Sequence, residues 1–170
     1  MNIPQTYNYL MRARRDLWAT LEAVPDEVLA KPLLNGRFQC IKDLVLHVAG
    51  VEDGWMHYTI LSDQPVQDSC SALKDLGDSP DCSRLELGML LDYWRAVEQS
   101  TLAYLSALTD EELGRVVQDS PTDFFAVEGL LWHVMIHEMR HTAQIAVLLR
   151  MQNIKPPSLD LLFYLPQAEH

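Results

Sequence analysis

Four long segments of the sequence repeat their apolar residues with the period of an α-helix. They cover residues 5–24, 41–61, 84–108 and 126–152. Gly and Pro residues separate these periods, and no segment alternates apolar and polar residues as a half-buried strand does, so we predict no sheet. Four amphipathic helices of this length have to pack against one another to bury their apolar faces.

The boundaries of these segments carry the expected stop signals. Pro25 ends the first segment, and Asn153 is expected to adopt a left-handed conformation after the fourth, before Pro156 and Pro157 forbid continuation. Ser158 is then expected to cap a short final helix over residues 159–164. Residues 62–83 are predicted to form a long loop, which is either a wall of a site or a plain connection.

A faint internal repeat relates the two halves of the chain. Residues 21–29 resemble residues 105–113, and residues 41–48 resemble residues 127–134. Each half then consists of a long helix, a short helix, a loop and a long helix with a histidine. Neither helical hairpin can bury its apolar face alone, so we predict an all-α four-helix bundle in one domain covering residues 1–170. The repeat places His47 opposite His133 and His137.

Composition restricts the possible partners and locations. The chain has 170 residues and a formal net charge of −11, which argues against binding to nucleic acid or to anionic membranes. Its start lacks a basic segment followed by an apolar run, and no apolar stretch is long enough to span a membrane. We therefore expect a cytoplasmic protein, in which the three cysteines are free thiols.

Two histidines on the fourth segment form the strongest functional signal. His137 and His141 are four residues apart, so their rings project from one face of a helix, on the stripe that it buries. Two such imidazoles can bind one divalent ion such as Zn²⁺ or Ni²⁺, and His47 on the second segment is the candidate third ligand. Three protein ligands leave one position open, as in catalytic zinc sites. The alternative is that these histidines are core residues that satisfy one another.

Neighbouring polar residues are candidates for supporting roles. His133, one turn before His137, is expected to support the site from a second layer or to be structural. Gln144 is three residues after His141 and is expected either to orient that ring by a hydrogen bond or to be solvated. Arg14 lies in the apolar stripe of the first segment, where it is expected to extend to the bundle edge, with contact to an anionic substrate as the alternative.

The residues from His137 to His141 also match HExxH, the signature of zinc proteases. In that mechanism Glu138 acts as a base, and we consider it a possible outer-shell base here. A protease also needs a third ligand farther along the chain, for which Asp160, Glu169 and His170 are the candidates, and an edge strand for its substrate. No strand is predicted, so a protease is a remote alternative.

Two stretches resemble the DinB-like family of metal-binding bundles: LVLHVAGVEDGW over residues 44–55, and LWHVMIHEMRHTAQIAVLLRMQNIKPPSLDLLFYL over residues 131–165. The resemblance implies a four-helix bundle, often dimeric, with His47, His137 and His141 as metal ligands. It also implies transfer of a small thiol such as bacillithiol or mycothiol to an electrophile. Many members carry HHRGQ where this chain has Arg140, His141, Thr142, Ala143 and Gln144.

Three functional hypotheses remain at this point. The first is a metal-dependent thiol S-transferase, or a related hydrolase, in which the ion favours the thiolate form of a small-molecule thiol that attacks an electrophilic substrate. The second is a non-catalytic metal or small-molecule binding protein with a role in stress. The third is a purely structural bundle. From the resemblance we expect a homodimer.

Overall fold

The computed structural model describes residues 1–74, 76 and 81–165, and six α-helices account for most of them. The helices are α1 (Ile3–Glu22), α2 (Asp26–Leu29), α3 (Ile41–Asp53), α4 (Leu87–Ser106), α5 (Asp110–Gly114) and α6 (Val127–Met151). A π-helix over Gly54–Leu61 extends α3, and 3₁₀ turns occur at Val66–Ser69, Cys82–Arg84 and Leu161–Tyr164. The predicted all-α class and its four long helices are confirmed. None of the helices in the described part of the chain has the length and hydropathy needed to cross a bilayer.

Local sequence signals explain where the long helices begin and end. The side chain of Asn2 accepts a hydrogen bond of 3.0 Å from the backbone N–H of Gln5, and the Gln5 side chain accepts one of 3.1 Å from the Asn2 N–H. This reciprocal pair satisfies two N–H groups that the first turn of α1 leaves free. At the other end of the chain, Asn153 has a φ of 61°, the left-handed conformation expected after α6.

Each of the four long helices packs mainly against helices from the other half of the chain. Helix α1 packs mainly against α4 and α6, and α3 packs mainly against the same two helices. Helices α1 and α3 therefore lie on one diagonal of the bundle and α4 and α6 on the other. The expectation that each half forms its own hairpin is wrong, because each long helix finds its main partners in the other half. This arrangement makes α3 and α6 neighbours.

A short hairpin between α5 and α6 corrects the prediction that the chain has no sheet. Strand β1 (Val116–Gln118) pairs antiparallel with β2 (Phe124–Ala126), with Val117 opposite Phe125. The backbone N–H of Asp119 donates to the carbonyl of Asp123 and closes the turn. Strands of three residues are too short to show an alternating pattern, although β-branched and aromatic residues occupy most of their positions.

The hydrophobic core is divided into two clusters with buried charges between them. On α1, for example, Leu17 and Leu21 belong to one cluster, and Ile3 and Leu10 belong to the other. Arg14 lies between them and is 1% exposed. The corresponding charged residues on α3, α4 and α6 are also buried, and we call the four residues the polar layer: Arg14, Glu52, Glu98 and Glu138.

The loop predicted over residues 62–83 is held by two aspartates of α3. The carboxylate of Asp53 accepts hydrogen bonds of 2.9 Å from the backbone N–H groups of Val66 and Gln67. The carboxylate of Asp43 accepts one of 3.0 Å from the N–H of Cys82. Residues 75 and 77–80 of this loop lie outside the described residues. Within the described residues, Cys40, Cys70 and Cys82 are not joined in a disulfide, as expected.

The C-terminal segment lies against the first helix. Instead of an α-helix capped by Ser158, it forms a single 3₁₀ turn over Leu161–Tyr164 that no side chain caps. The Tyr164 hydroxyl donates to Asp16 of α1 at 2.6 Å. This contact holds the C-terminal turn against α1.

Candidate metal centre

Three histidines from α3 and α6 meet at one point of the bundle. Each of His47, His137 and His141 offers one ring nitrogen, and these nitrogens lie within 4.8 Å of one another. The Nε2 atoms of His47 and His137 are 3.0 Å apart. The ring centroids of the three histidines are separated by 4.3 to 4.7 Å. We refer to these residues as the histidine triad.

The spacing and chemistry of the triad fit a single divalent ion. Nitrogen ligands at about 2.1 Å from a tetrahedral ion lie about 3.4 Å apart. The Nε2 atoms of His47 and His137 are close to that separation, and all three ligand nitrogens lie within 4.8 Å of one another. Neutral imidazole is the form that coordinates, and three such ligands suit zinc and nickel. In the absence of metal, two neutral rings at 3.0 Å can share one proton as a hydrogen bond.

Burial keeps the triad in the neutral form. His137 and His141 are each 8% exposed, and His47 is partly buried. Burial lowers the pKa of His47 to about 4 and that of His137 to about 3, with further lowering from neighbouring rings and arginines. Burial also lowers the pKa of His141. All three rings are therefore ready to coordinate a metal at neutral pH without first losing a proton.

Gln144 holds the ring of His141 in one orientation. Its Oε1 atom accepts a hydrogen bond of 2.6 Å from Nδ1 of His141. A proton fixed on Nδ1 leaves Nε2 unprotonated and available as a ligand atom. The role predicted for Gln144, orientation of the His141 ring, requires this hydrogen bond.

His133 lies next to the triad without hydrogen bonding to it. Its ring centroid is 5.9 Å from that of His137 and 5.5 Å from that of Trp55. The residue is exposed. The repeat placed His47 opposite His133 and His137, whereas the structure brings His47 to His137 and His141, one turn farther along α6. Any supporting role of His133 therefore depends on ring packing.

Phe38, in the loop before α3, covers one side of the triad. Its ring centroid lies 4.3 Å from that of His47 and 6.2 Å from that of His141. The guanidinium of Arg37 lies 5.1 Å from the centre of the Phe38 ring. Neither residue is predictable from the sequence, because a loop has no helical period that indicates which way its side chains face.

Glu138, the middle residue of the HExxH match, is directed into the polar layer. Its carboxylate accepts hydrogen bonds of 2.8 and 2.7 Å from Nε and Nη2 of Arg14, and the residue is 3% exposed. Burial raises the pKa of Glu138, and the Arg14 charge opposes that shift. The Glu138 carboxylate is thus engaged by Arg14 in the bundle interior, and its role as an outer-shell base stays a prediction.

Arg14 also differs from its prediction, since it does not extend to the bundle edge. Besides Glu138, its guanidinium contacts Glu98 at 3.0 Å and Glu52 at 3.2 Å. Tyr7 and Thr101 donate hydrogen bonds of 2.5 and 2.8 Å to Glu52. The polar layer therefore connects all four long helices, and the fully buried Arg14 is not available to a substrate.

The structure does not support the alternative of a zinc protease. The third histidine comes from α3, upstream of the motif, and Glu138 is engaged elsewhere. The hairpin of β1 and β2 offers no long edge strand of the kind that aligns a peptide. Two of the three downstream candidates, Glu169 and His170, lie outside the described residues.

The fold and the triad define a helical bundle with a three-histidine centre between two neighbouring helices. The profile of the DinB family matches residues 1–170, and the chain belongs to that family. Proteins of this family usually bind metal, in agreement with the triad found here.

One solved structure with the same fold is the crystal structure of a conserved protein of Enterococcus faecalis. It superimposes with a TM-score of 0.68 at 20% sequence identity, over 89% of this chain and 97% of that chain. Identity at this level establishes the shared fold alone. No curated protein matches the sequence.

Proposed function

We propose that the chain is a metal-dependent enzyme that transfers a low-molecular-weight thiol to an electrophilic small molecule. The observation that carries the proposal is the convergence of His47, His137 and His141, whose ring nitrogens lie within 4.8 Å of one another. Three protein ligands leave at least one coordination position for a substrate, whereas purely structural zinc sites use four.

A divalent ion at the triad would supply a Lewis acid that favours the nucleophilic thiolate form of the substrate. The protein residues prepare that position. Burial keeps the three imidazoles neutral, Gln144 fixes the tautomer of His141, and Phe38 shields one side of His47 from water. Zinc or nickel best suits this set of ligands.

The proposal is tested with protein purified without a histidine tag. The metal content is measured first, and then the loss of free thiol with 1-chloro-2,4-dinitrobenzene as electrophile, using bacillithiol, mycothiol and cysteine in parallel. We expect one equivalent of metal and metal-dependent turnover with at least one thiol. His47→Ala is expected to lose both properties, whereas His133→Ala, the matched histidine outside the triad, is expected to keep the metal.

The outcomes separate the competing functions. One equivalent of metal without turnover, for all thiols and for simple ester substrates, would assign non-catalytic metal binding. Less than one equivalent after dialysis, with no loss of stability on adding a chelator, would assign a structural bundle. We also propose a cytoplasmic homodimer, for which light scattering of the purified protein measures the subunit number.

A further inference from the structure

The three rings of the triad are not held in the same way. Gln144 orients the ring of His141, because its Oε1 atom accepts a hydrogen bond of 2.6 Å from Nδ1 of that ring. A metal-binding histidine usually has such an outer contact, which sets both its tautomer and its orientation. Among the residues that the structure describes, none forms a hydrogen bond to Nδ1 of His47. The orientation of the His47 ring therefore has a different origin.

The hydrogen bond between His47 and His137 does not provide that orientation in a metal site. Their Nε2 atoms are 3.0 Å apart, which allows one ring to donate a proton to the other. When both nitrogens bind an ion, neither carries the proton that this hydrogen bond needs. The contact that orients His47 without metal is thus incompatible with coordination through the same atoms.

The ring of Phe38 lies against the ring of His47. The two centroids are 4.3 Å apart and the ring planes are inclined by 33°, which is close to the geometry of an offset stack. The Phe38 ring also meets the ring of His141 edge-on, at 6.2 Å and 72°. Phe38 therefore contacts two of the three rings of the triad. Unlike the hydrogen bond to His137, this contact needs no proton on a ligand nitrogen.

The loop that carries Phe38 is tied to the bundle. The backbone N–H of Gln39 donates a hydrogen bond of 2.8 Å to the carboxylate of Asp43, in the first turn of α3. The carbonyl of Gln39 accepts hydrogen bonds of 2.8 and 3.1 Å from the N–H groups of Leu33 and Leu34. The Phe38 side chain is partly buried against the larger of the two core clusters. A ring anchored in this way can restrain the ring beside it.

We propose that Phe38 is a positioning residue for metal binding, and that its stacking on His47 takes the place of the hydrogen bond that orients His141. The Phe38 ring restricts rotation of the His47 side chain, so less conformational freedom is lost when His47 coordinates. The flat aromatic face provides this restriction, which a flexible apolar side chain does not. The inference depends on metal binding at the triad, which is part of the proposed function, and not on thiol transfer.

The experiment measures zinc affinity by competition with a chromophoric chelator and records the visible absorption of the cobalt-loaded protein. Phe38→Tyr keeps the ring, whereas Phe38→Leu keeps an apolar side chain without the ring. Phe125→Leu is the matched control, because it removes a ring that lies 6.1 Å from Trp55 and, within the described residues, has no ring contact with the triad. Urea denaturation of each metal-free variant measures its stability separately from metal binding.

We expect Phe38→Leu to bind zinc about tenfold more weakly than the wild type, and Phe38→Tyr and Phe125→Leu to bind it within about twofold of the wild type. Cobalt sites with four ligands absorb visible light more strongly than sites with six. The absorption is therefore expected to weaken in Phe38→Leu, because water replaces a His47 ring that is no longer held, and to stay unchanged in Phe38→Tyr.

Equal zinc affinity and equal cobalt spectra in the wild type and Phe38→Leu would overturn the positioning role and leave the proposed function intact. An equal loss of affinity in Phe38→Leu and Phe38→Tyr would also overturn it, because side-chain size and not the ring would then be decisive. Failure of the wild type to bind zinc or cobalt would overturn this inference together with the proposed function.

Discussion

Arg14 of α1 donates two hydrogen bonds to the carboxylate of Glu138 on α6, the residue that follows His137 in the sequence. The same guanidinium contacts Glu98 of α4 and Glu52 of α3. The triad is thus built next to a buried charge cluster that connects all four long helices. The relative positions of α3 and α6, and hence of the three imidazoles, depend in part on this cluster.

Replacement of Arg14 by methionine is expected to destabilise the protein strongly. Removal of Arg14, the cation of the polar layer, leaves the buried Glu52 and Glu138 without a counter-charge, which typically costs about 3–5 kcal/mol, whereas Glu98 keeps its contact with Arg15. The measurement is the free energy of unfolding from urea denaturation. Arg150→Met removes an exposed arginine and is expected to change stability by less than about 0.5 kcal/mol. Equal stability of the two variants would contradict this assignment.

Glu138→Gln separates a structural glutamate from a catalytic one. We expect the variant to keep its metal and to be destabilised by about 1–3 kcal/mol, because Arg14 loses a charged partner. Loss of a general base costs about 10²- to 10⁴-fold in rate, whereas we expect thiol transfer to fall less than about tenfold. A rate loss of about 10²-fold or more, in a variant that retains its fold and its metal, would identify Glu138 as a base.

The histidine triad predicts how the stability of the metal-free protein depends on pH. Burial lowers the pKa of His47 to about 4 and that of His137 to about 3, from an ordinary value of 6.5. The unfolded chain therefore binds more protons than the folded chain below pH 6.5, so the free energy of unfolding falls as the pH is lowered from 6.5 toward 4.

The matched comparison is the double variant His47→Gln, His137→Gln, which keeps every carboxylate of the wild type. Its unfolding free energy, measured by urea denaturation across the same pH range, is expected to fall less steeply. Identical slopes in the two proteins would show that these histidines do not account for the acid sensitivity.

Gln144 provides a test of ligand orientation. Gln144→Ala removes the acceptor that holds Nδ1 of His141, and loss of such an outer contact typically weakens metal binding about 10- to 100-fold. The measurement is competition for zinc with a chromophoric chelator. Gln99→Ala, on the exposed face of α4, is the control and is expected to bind zinc as the wild type does. An unchanged zinc affinity in Gln144→Ala would show that Gln144 is a solvated surface residue without an orienting role.

Helical periodicity was sufficient to predict the long helices and the three histidines that meet between them. His137 and His141 follow from spacing within one helix, and His47 from its position on an apolar stripe. Periodicity specifies which face a helix buries but not which helix lies opposite. The diagonal arrangement of α1 and α3 was therefore missed.

The same limitation explains the errors around Arg14. Its position in an apolar stripe was visible in the sequence, but its partners Glu52, Glu98 and Glu138 lie 38, 84 and 124 residues away. Three carboxylates from three helices can be recognised as one cluster only when the packing order is known. Phe38 was missed for a related reason, since a loop residue shows no periodicity.

X-ray absorption at the zinc edge of the zinc-loaded, tag-free protein tests most directly whether three imidazoles bind one divalent ion. We expect three imidazole nitrogens at about 2.0–2.1 Å and one further light atom that a thiol replaces with sulfur at about 2.3 Å. A zinc environment with fewer than two imidazoles, or one that remains the same in His47→Ala, would contradict a three-histidine metal site.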